Sequence, residues 1–394
     1  MLKIAVYSGV LPSTTFIERL IEGLSQRDVA IYLFGNKTKN KTYSSTNVIE
    51  STYSGKVNKL WRLIGFSLLL FFFKYKEKQK LDQWIKSRGS KTLMFKVKCY
   101  PVLWNNPDIF HLQWGKSIED WIWVQDFGIK LVVSLRGGQI NFDPVANKTT
   151  AELYQKYFPK VDGFHAVSHA IAKEATKYGA DPAKIKVVYS GLPNLKNKDM
   201  SNEFVKELNT MQILSVGRNH WKKGYNYALE ACAKLQNHDV DFHYNIIGAQ
   251  NVEELEYLKN DLALNDIVTF KDKIAYDDVI KAMRQSDVIL LPSVEEGIAN
   301  VVLEAMQIGK IVVTTNCGGM DEVVKDGING FVVPVRDVNA MCDKLRMISK
   351  LSKSEIDEVS INAQEKIKNT HSEEKMVKDM LALYNSVVLN FPIT

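Results

Sequence analysis

An α/β fold of two Rossmann-like, doubly wound domains is what this sequence predicts, and three observations carry the prediction. Short apolar runs alternate with stretches of helical periodicity along the chain, the pattern of parallel βαβ units. The 394 residues are too many for one ordinary core and comfortable for two. The rhythm breaks at Tyr189–Met211, where SGLPN and a polar stretch read as a linker, and a second series of apolar runs then begins. The expected domains are residues 1–195 and 196–372, with a final helical segment, about 373–394, packing back on the first.

In the first half the strand candidates are Lys3–Tyr7, Ala30–Phe34, Asp108–Leu112, Lys130–Ser134, Gly163–Val167 and Ile185–Val188. Between them Thr15–Ser25 and Ala170–Tyr178 carry apolar residues at helical spacing. The second series runs Gln212–Val216, Phe242–Ile247, Val268–Lys271, Val288–Leu291, Ile311–Thr314 and Gly330–Val333. Its helices fit at Tyr225–Leu235, Val252–Leu262, Tyr276–Gln285, Asn300–Gln307 and Ala340–Ser349, and Glu373–Leu389 closes the chain. In doubly wound sheets, ligands collect at the carboxyl ends of the strands.

Hydrophobic residues at 45% and charged residues at 24% are a globular balance that excludes disordered and collagenous classes. The cysteines (Cys99, Cys232, Cys317 and Cys342) are far apart, so reduced thiols are expected rather than a disulfide framework. No secretory leader is read at MLKIAVYSGV, which runs straight into a strand, and a cytoplasmic location is the expectation. Without secretion, the N-K-T sequons at Asn36, Asn40 and Asn147 carry no meaning.

The net charge of +6 hides a division: residues 1–190 hold 28 Lys+Arg against 15 Asp+Glu, the remainder 23 against 30. Such asymmetry points to different partners for the two domains. With no nucleic-acid motif present, an anionic membrane surface or an anionic substrate leads. The most apolar window, Leu63–Phe73, reaches only about 16 Å as a helix, too short to span a bilayer. It precedes a basic stretch, Lys74–Lys98, with nine basic residues against Glu77 and Asp82. An interfacial helix beside anionic headgroups and a buried core helix with a solvated basic neighbour both fit this pattern.

Two stretches carry chemistry. In PSVEEGIANVVLEAMQIG (Pro292–Gly309) a strand ends, a turn holds Glu295, Glu296 and Gly297, and a helix begins near Asn300. A helix start offers free amides and a positive dipole end suited to a diphosphate, and Glu304, one turn in, can accept hydrogen bonds from sugar hydroxyls. In VGRNHWKKG (Val216–Gly224), Arg218 and Lys223 flank a turn after the first strand of the second domain. Two cations there can neutralise a diphosphate leaving group.

GRNHWKKG resembles the pattern G-R-x(4)-K-G, and PSVEEGIANVVLEAMQIGKIVVTTNCGGMDEVVKDGINGFVV resembles an E-x(7)-E region with its downstream strand, glycine turn and closing strand. Both are similar to retaining glycosyltransferase family 4, closely over Phe164–Val333 and in outline before it. The resemblance implies the GT-B fold, two Rossmann-like domains facing a central cleft. It implies a hexosyltransferase-like enzyme moving a sugar from a nucleotide-diphosphate sugar to a glycan or lipid-linked acceptor. Configuration would be retained, with no metal or other cofactor, in bacterial surface polysaccharide (capsule, exopolysaccharide or lipopolysaccharide) biosynthesis. By position, Arg218 and Lys223 would hold the diphosphate beside Gly217, Glu304 would bind the ribose, and Glu296 near Gly297 would face the donor sugar. The amides of Asn300, Val301 and Val302 would complete the phosphate site.

One position departs from the family. Where a histidine is common after the strand matched by KLVVSLRGG, this chain has Arg136, followed by Gly137 and Gly138. Arg136 is a candidate to face the donor sugar, or else to turn outward or pair with a carboxylate. His111, at a strand end, and the Ser8–Thr15 loop with Gly9 and Ser13 are acceptor-side candidates, with a satisfied strand-end histidine as the alternative for His111, while His165 and His169 read as structural. Asp239 and Asp241 form a D-x-D that reads as surface acids. A non-catalytic sugar- or nucleotide-binding protein of the same fold and a nucleotide-sugar epimerase are the alternatives.

Overall fold

The computed structural model describes residues 1–89, 92–193 and 210–390. It forms two compact units, one of Met1–Val167, Ile171–Gly191 and Glu373–Thr394, the other of Ser168–Ala170 and Leu192–Ser372. Much of the expected linker, residues 194–209 with the 195/196 boundary, lies outside the described residues.

The first unit is built on a seven-stranded parallel sheet: β1 (Leu2–Leu11), β2 (Val29–Lys37), β3 (Val48–Tyr53), β4 (Ile109–Leu112), β5 (Lys130–Leu135), β6 (Gly163–Ala166) and β7 (Ile185–Val187). Their spatial order is β3-β2-β1-β4-β5-β6-β7. The central strands are near-continuous apolar runs because helices cover both faces. The sequence predicts β1 as Lys3–Tyr7 with a loop from Ser8, but the strand continues to Leu11. A register shift between Tyr7 and Gly9, with Gly9 at φ +88°, lets the strand pair again, Gly9 with Gly35 and Leu11 with Lys37. The loop therefore shrinks to residues 12–14. Strand β3 was not expected; its alternating VIESTY is an edge strand with an exposed Glu50.

The apolar window belongs to a 19-residue helix, Gly55–Phe73, longer than the sequence suggests. Leu63, Phe66 and Leu70, at spacings of three and four, turn towards the core. Leu68, Phe71, Phe72 and Phe73 stay exposed, the last at 74%. One face of this helix therefore packs on the core while the other is exposed. No helix among the described residues is long and apolar enough to cross a membrane.

The second unit carries a six-stranded parallel sheet of β8 (Met211–Val216), β9 (Phe242–Ile247), β10 (Val268–Lys271), β11 (Val288–Leu291), β12 (Ile311–Thr315) and β13 (Phe331–Val333). The order is β10-β9-β8-β11-β12-β13, so β8 and β11 are central neighbours. A helix at Lys353–Thr370, absent from the sequence reading, starts on a capping box in which Ser352 and Glu355 satisfy each other's backbone amides.

The helix Glu373–Leu389 belongs to the first unit, where Met376, Val377, Met380, Leu383, Tyr384 and Val387 join the core of β1, β2 and the helix Thr15–Ser25. Truncating Leu383, which is fully buried, to alanine is expected to destabilise that unit by about 3 kcal/mol. Urea denaturation followed by tryptophan fluorescence measures it, and a loss below about 1 kcal/mol would show that the helix is only loosely attached.

Candidate functional site

Because β8 and β11 are hydrogen-bonded neighbours, the loops leaving their carboxyl ends emerge side by side. The loop after β8 folds tightly on its own backbone. The Tyr225 hydroxyl donates to the Gly217 carbonyl at 3.0 Å, and the Lys223 amide donates to the His220 carbonyl at 2.8 Å. Gly224, at φ +65°, ends the turn; a Cβ there would lie 2.1 Å from the Pro292 carbonyl oxygen, so only glycine lets this loop meet the one after β11. The Val294 amide then donates to the Lys222 carbonyl at 2.7 Å, joining the two loops.

This places Lys223 Nζ 2.6 Å from Glu296 Oε1, with both side chains largely buried. The Ser293 hydroxyl donates to the same carboxylate oxygen at 3.3 Å. Behind the pair, Gly318 (φ +55°) presses on the Glu296 backbone: an added Cβ would sit 1.7 Å from the Glu296 carbonyl oxygen. The Gly319 amide donates to the Gly297 carbonyl at 2.7 Å. Burial, more than the nearby Glu295 and Glu296, pushes the neighbouring Cys317 thiol up to about 12, which leaves it protonated and unreactive near neutral pH. Arg218 is exposed and has no ion pair or hydrogen bond among the described residues.

The helix Asn300–Gln307 begins as expected. Its Asn300 and Val301 amides have no protein partner among the described residues, whereas the Val302 amide donates to the Ala299 carbonyl at 3.0 Å. Val302 is thus corrected as a phosphate donor, since the tight first turn of the helix already uses its amide. Glu304 is buried and accepts from the Tyr276 hydroxyl at 3.0 Å. Sequence reasoning missed Tyr276, Ser293 and Gly318. For Gly318 the GG pair after β12 was the available signal; the other two show none before folding. A cavity of about 780 Å³ is lined by Asn219, His220, Trp221, Tyr227 and Tyr257, among others, but by none of Arg218, Lys223, Glu296 and Glu304.

Of the other candidates, His111, His165, Gly9 and Ser13 lie in the first unit, and His169 and Asp241 in the second. His111 is fully buried, with Nδ1 2.7 Å from the Tyr384 hydroxyl and Nε2 2.8 Å from the Ser134 hydroxyl. Both ring nitrogens are therefore engaged, and the acceptor-side assignment of His111 is corrected to a structural one. His165 spans Ser134 and the Val188 carbonyl in the same network, while His169 is exposed at the start of the helix His169–Thr176. Burial, then the charge of Arg136, holds His165 down to about 3; burial, then His165 and Arg136, holds His111 well below the ordinary range. The Ser13 amide donates to Glu18 at 2.6 Å, and Gly9 forms the β1 bulge. Asp241 accepts from the Thr210 hydroxyl.

The first-unit residues 13–193 match the family model "Glycosyltransferase Family 4", and residues 196–366 match "Glycosyl transferases group 1". The solved glycosyltransferase from Rickettsia africae has a TM-score of 0.71 at 18% identity, over 99% of each chain. The Anabaena protein HepE, crystallised with UDP, has a TM-score of 0.72 at 17% identity, over 98% of this chain and 100% of that one. Fold and site together define a two-domain glycosyltransferase of the GT-B class. The chain belongs to the family 4 type, group 1 glycosyltransferases. WcaL of Escherichia coli, a glycosyltransferase assigned to colanic acid biosynthesis, is 28% identical over 362 residues, 89% of this chain and 88% of WcaL. The amylovoran biosynthesis glycosyltransferase AmsK of Erwinia amylovora is 28% identical over 219 residues, 53% of this chain and 52% of AmsK.

Two outcomes are expected. Gly318→Ala must either move the Glu296 backbone or unfold the turn, so transfer activity should fall at least tenfold, about 1.4 kcal/mol, or the second unit should lose stability; unchanged kinetics and melting would refute the close-fit account. His111 and His165 bind protons less readily folded than unfolded, so their contribution is present above about pH 6.5 and lost as pH falls below it, for His165 down to about 3. Stability of the first unit should drop between pH 7 and pH 5, by on the order of 1–2 kcal/mol for His165, and His165→Gln should flatten the pH dependence of the urea midpoint.

Proposed function

We propose that this glycosyltransferase is a retaining, metal-independent enzyme that takes a hexosyl group from a nucleoside-diphosphate sugar, with the second unit binding the donor. The observation that carries the reading is the shared strand-end edge of β8 and β11. It combines the cations Arg218 and Lys223, the unpaired Asn300 and Val301 amides and the buried carboxylate Glu304. In this reading Arg218, Lys223 and the two amides neutralise the departing diphosphate, and Glu304 accepts from the ribose hydroxyls. Glu296 stands where positive charge develops on the sugar. The bond from the anomeric carbon to phosphate breaks as the acceptor oxygen bonds on the same face, and the acceptor proton passes to the leaving phosphate oxygen. Arg136 cannot serve as a general base near neutral pH, and this route needs none there. The HepE structures with UDP, and with UDP and glucose, support a uridine nucleotide.

The names of WcaL and AmsK support a role in bacterial surface polysaccharide assembly. We extend the reading to a lipid-linked acceptor met at an anionic membrane surface through the helix Gly55–Phe73. Its exposed Leu68, Phe71, Phe72 and Phe73 would enter the interface, with the exposed Lys76 and Lys86 of the next helix, Tyr75–Ser87, adding positive charge, while Lys80 donates to the Asp126 carbonyl at 2.6 Å. The basic stretch counts for less than its composition suggests. Lys78 and Lys96 pair with Asp82, Arg88 pairs with Glu119 and Asp120, and Lys74 donates to the Leu103 carbonyl.

Incubation with a panel of nucleotide sugars and glycan acceptors should release free nucleotide and give a glycoside of the donor's anomeric configuration by NMR, undiminished by EDTA. Lys223→Ala and Glu304→Ala should each lower transfer at least tenfold while the protein stays folded. An inverted product rejects the retaining mechanism, and an epimerised donor supports the alternative. Flotation with anionic liposomes should recover the chain at low salt, and replacing Phe71, Phe72 and Phe73 by serine should abolish recovery. Equal recovery of that variant would reject the helix as the docking element.

A further inference from the structure

Arg136 is a cation with no counter-charge among the described residues. It follows β5, Gln113 follows β4, and Phe16 lies in the first turn of the helix after β1; these three strands are adjacent at the middle of the first sheet. One guanidinium nitrogen donates to Gln113 Oε1 at 2.9 Å, and the guanidinium carbon lies 4.3 Å from the centre of the Phe16 ring. Phe16 is in turn held by an edge contact with Trp114. Arg136 Nε is buried with no hydrogen-bond partner, and so is Nε2 of Gln113, a residue with no exposed surface. Among the described residues no carboxylate lies within ion-pair distance of Arg136. Glu18, two residues after Phe16, takes Lys41, Tyr43 and the Ser13 amide, and Asp143, seven residues after Arg136, takes Lys116.

A buried arginine normally sits against a carboxylate, because desolvating the charge is otherwise uncompensated. Arg136 as a residue is half-buried, while its guanidinium Nε is buried. Aromatic packing and the Gln113 carbonyl fix the guanidinium plane, which leaves a rigid fork of donors at the strand ends where α/β sheets bind ligands. Burial lowers the guanidinium to about 9, still well above neutral, so the site keeps its positive charge at physiological pH.

We propose that Arg136, supported by Gln113 and Phe16, is an anion-recognition site of the first unit, and that it selects an acceptor bearing a carboxylate or phosphate group over a neutral one. A uronic acid or a phosphorylated sugar would place two oxygens on the fork, as planar guanidinium groups bind such anions. A neutral sugar hydroxyl would leave the charge uncompensated. The inference rests on the glycosyltransferase reading for the word acceptor, but the site itself is a property of the first unit.

Ligand-observed NMR on the whole chain tests it, with methyl glucuronide and glucose 6-phosphate as acidic probes and methyl glucoside as the neutral one. UDP serves as a separate probe of the second unit, and circular dichroism checks each variant. At least one acidic probe should bind tenfold or more tightly than methyl glucoside, and which of the two wins tells carboxylate from phosphate. Arg136→Gln should remove that preference, Arg136→Lys should keep part of it, and both should bind UDP as the parent chain does. Should Arg136→Gln not fold, Phe16→Leu, which removes the ring beneath the guanidinium, should weaken the preference without abolishing it. Binding of neutral and acidic probes alike, binding of neither acid, or an unchanged preference in the variants overturns the proposal. A preference for UDP-glucuronate over UDP-glucose that Arg136→Gln abolishes, without any preference among the free sugars, also overturns the acceptor assignment and puts the acid on the donor. Failure of UDP to bind the parent chain counts against the donor reading, and the acidic probes still decide this one.

Discussion

The ion pair between Lys223 and Glu296 is the interaction about which the second unit's site is organised. Neither charge could be buried alone at tolerable cost, so each requires the other's loop to be in place. The loops can approach closely enough only because Gly224 and Gly318 present bare backbone to Pro292 and Glu296. The parallel pairing of β8 with β11 supplies the coarse alignment, the glycines the fine one. Arg218, outside this embrace and exposed, is left as the freer of the two cations.

The first unit solves a different problem. Its strand ends carry a hydrogen-bond network in which His111, Ser134, His165 and Tyr384 satisfy one another, and Ser134 also reaches Gln113 at 3.4 Å, from which Arg136 extends as an open end. Satisfied networks of this sort fix a core, whereas an open end keeps donors in reserve. Tyr384 comes from the last helix, so the network also ties the end of the chain to the middle of the sheet.

Much of the fold was legible because its strands are short apolar runs separated by amphipathic helices, and the elements around Arg218 and Glu304 fall within a residue or so of where periodicity puts them. What escaped the sequence reading had physical causes. Strand β3 is half polar because it is an edge, and the helix Lys353–Thr370 has a weak apolar face, announced only by its S-x-x-E cap. His111 and Arg136 look alike in sequence, a polar residue at or just past a strand end. Only packing shows that one is saturated and the other is not. The exposure of Phe71–Phe73 was likewise unreadable, since an apolar run looks the same whether protein covers it or not.

The return of the helix Glu373–Leu389 to the first unit bears on how the chain is made. During synthesis, residues 1–191 leave the ribosome before the second unit, yet the core around β1 lacks Met376 to Val387 until the second unit has also emerged. The second unit, encoded between, has its strands and helices complete before that moment. The later-translated unit can therefore finish folding first, while the earlier one waits with the Ile17, Leu20 and Leu24 face of its first helix uncovered. A chain interrupted before Met376 would leave this face bare, and a chaperone that shields it during elongation would act on the unit synthesised earlier.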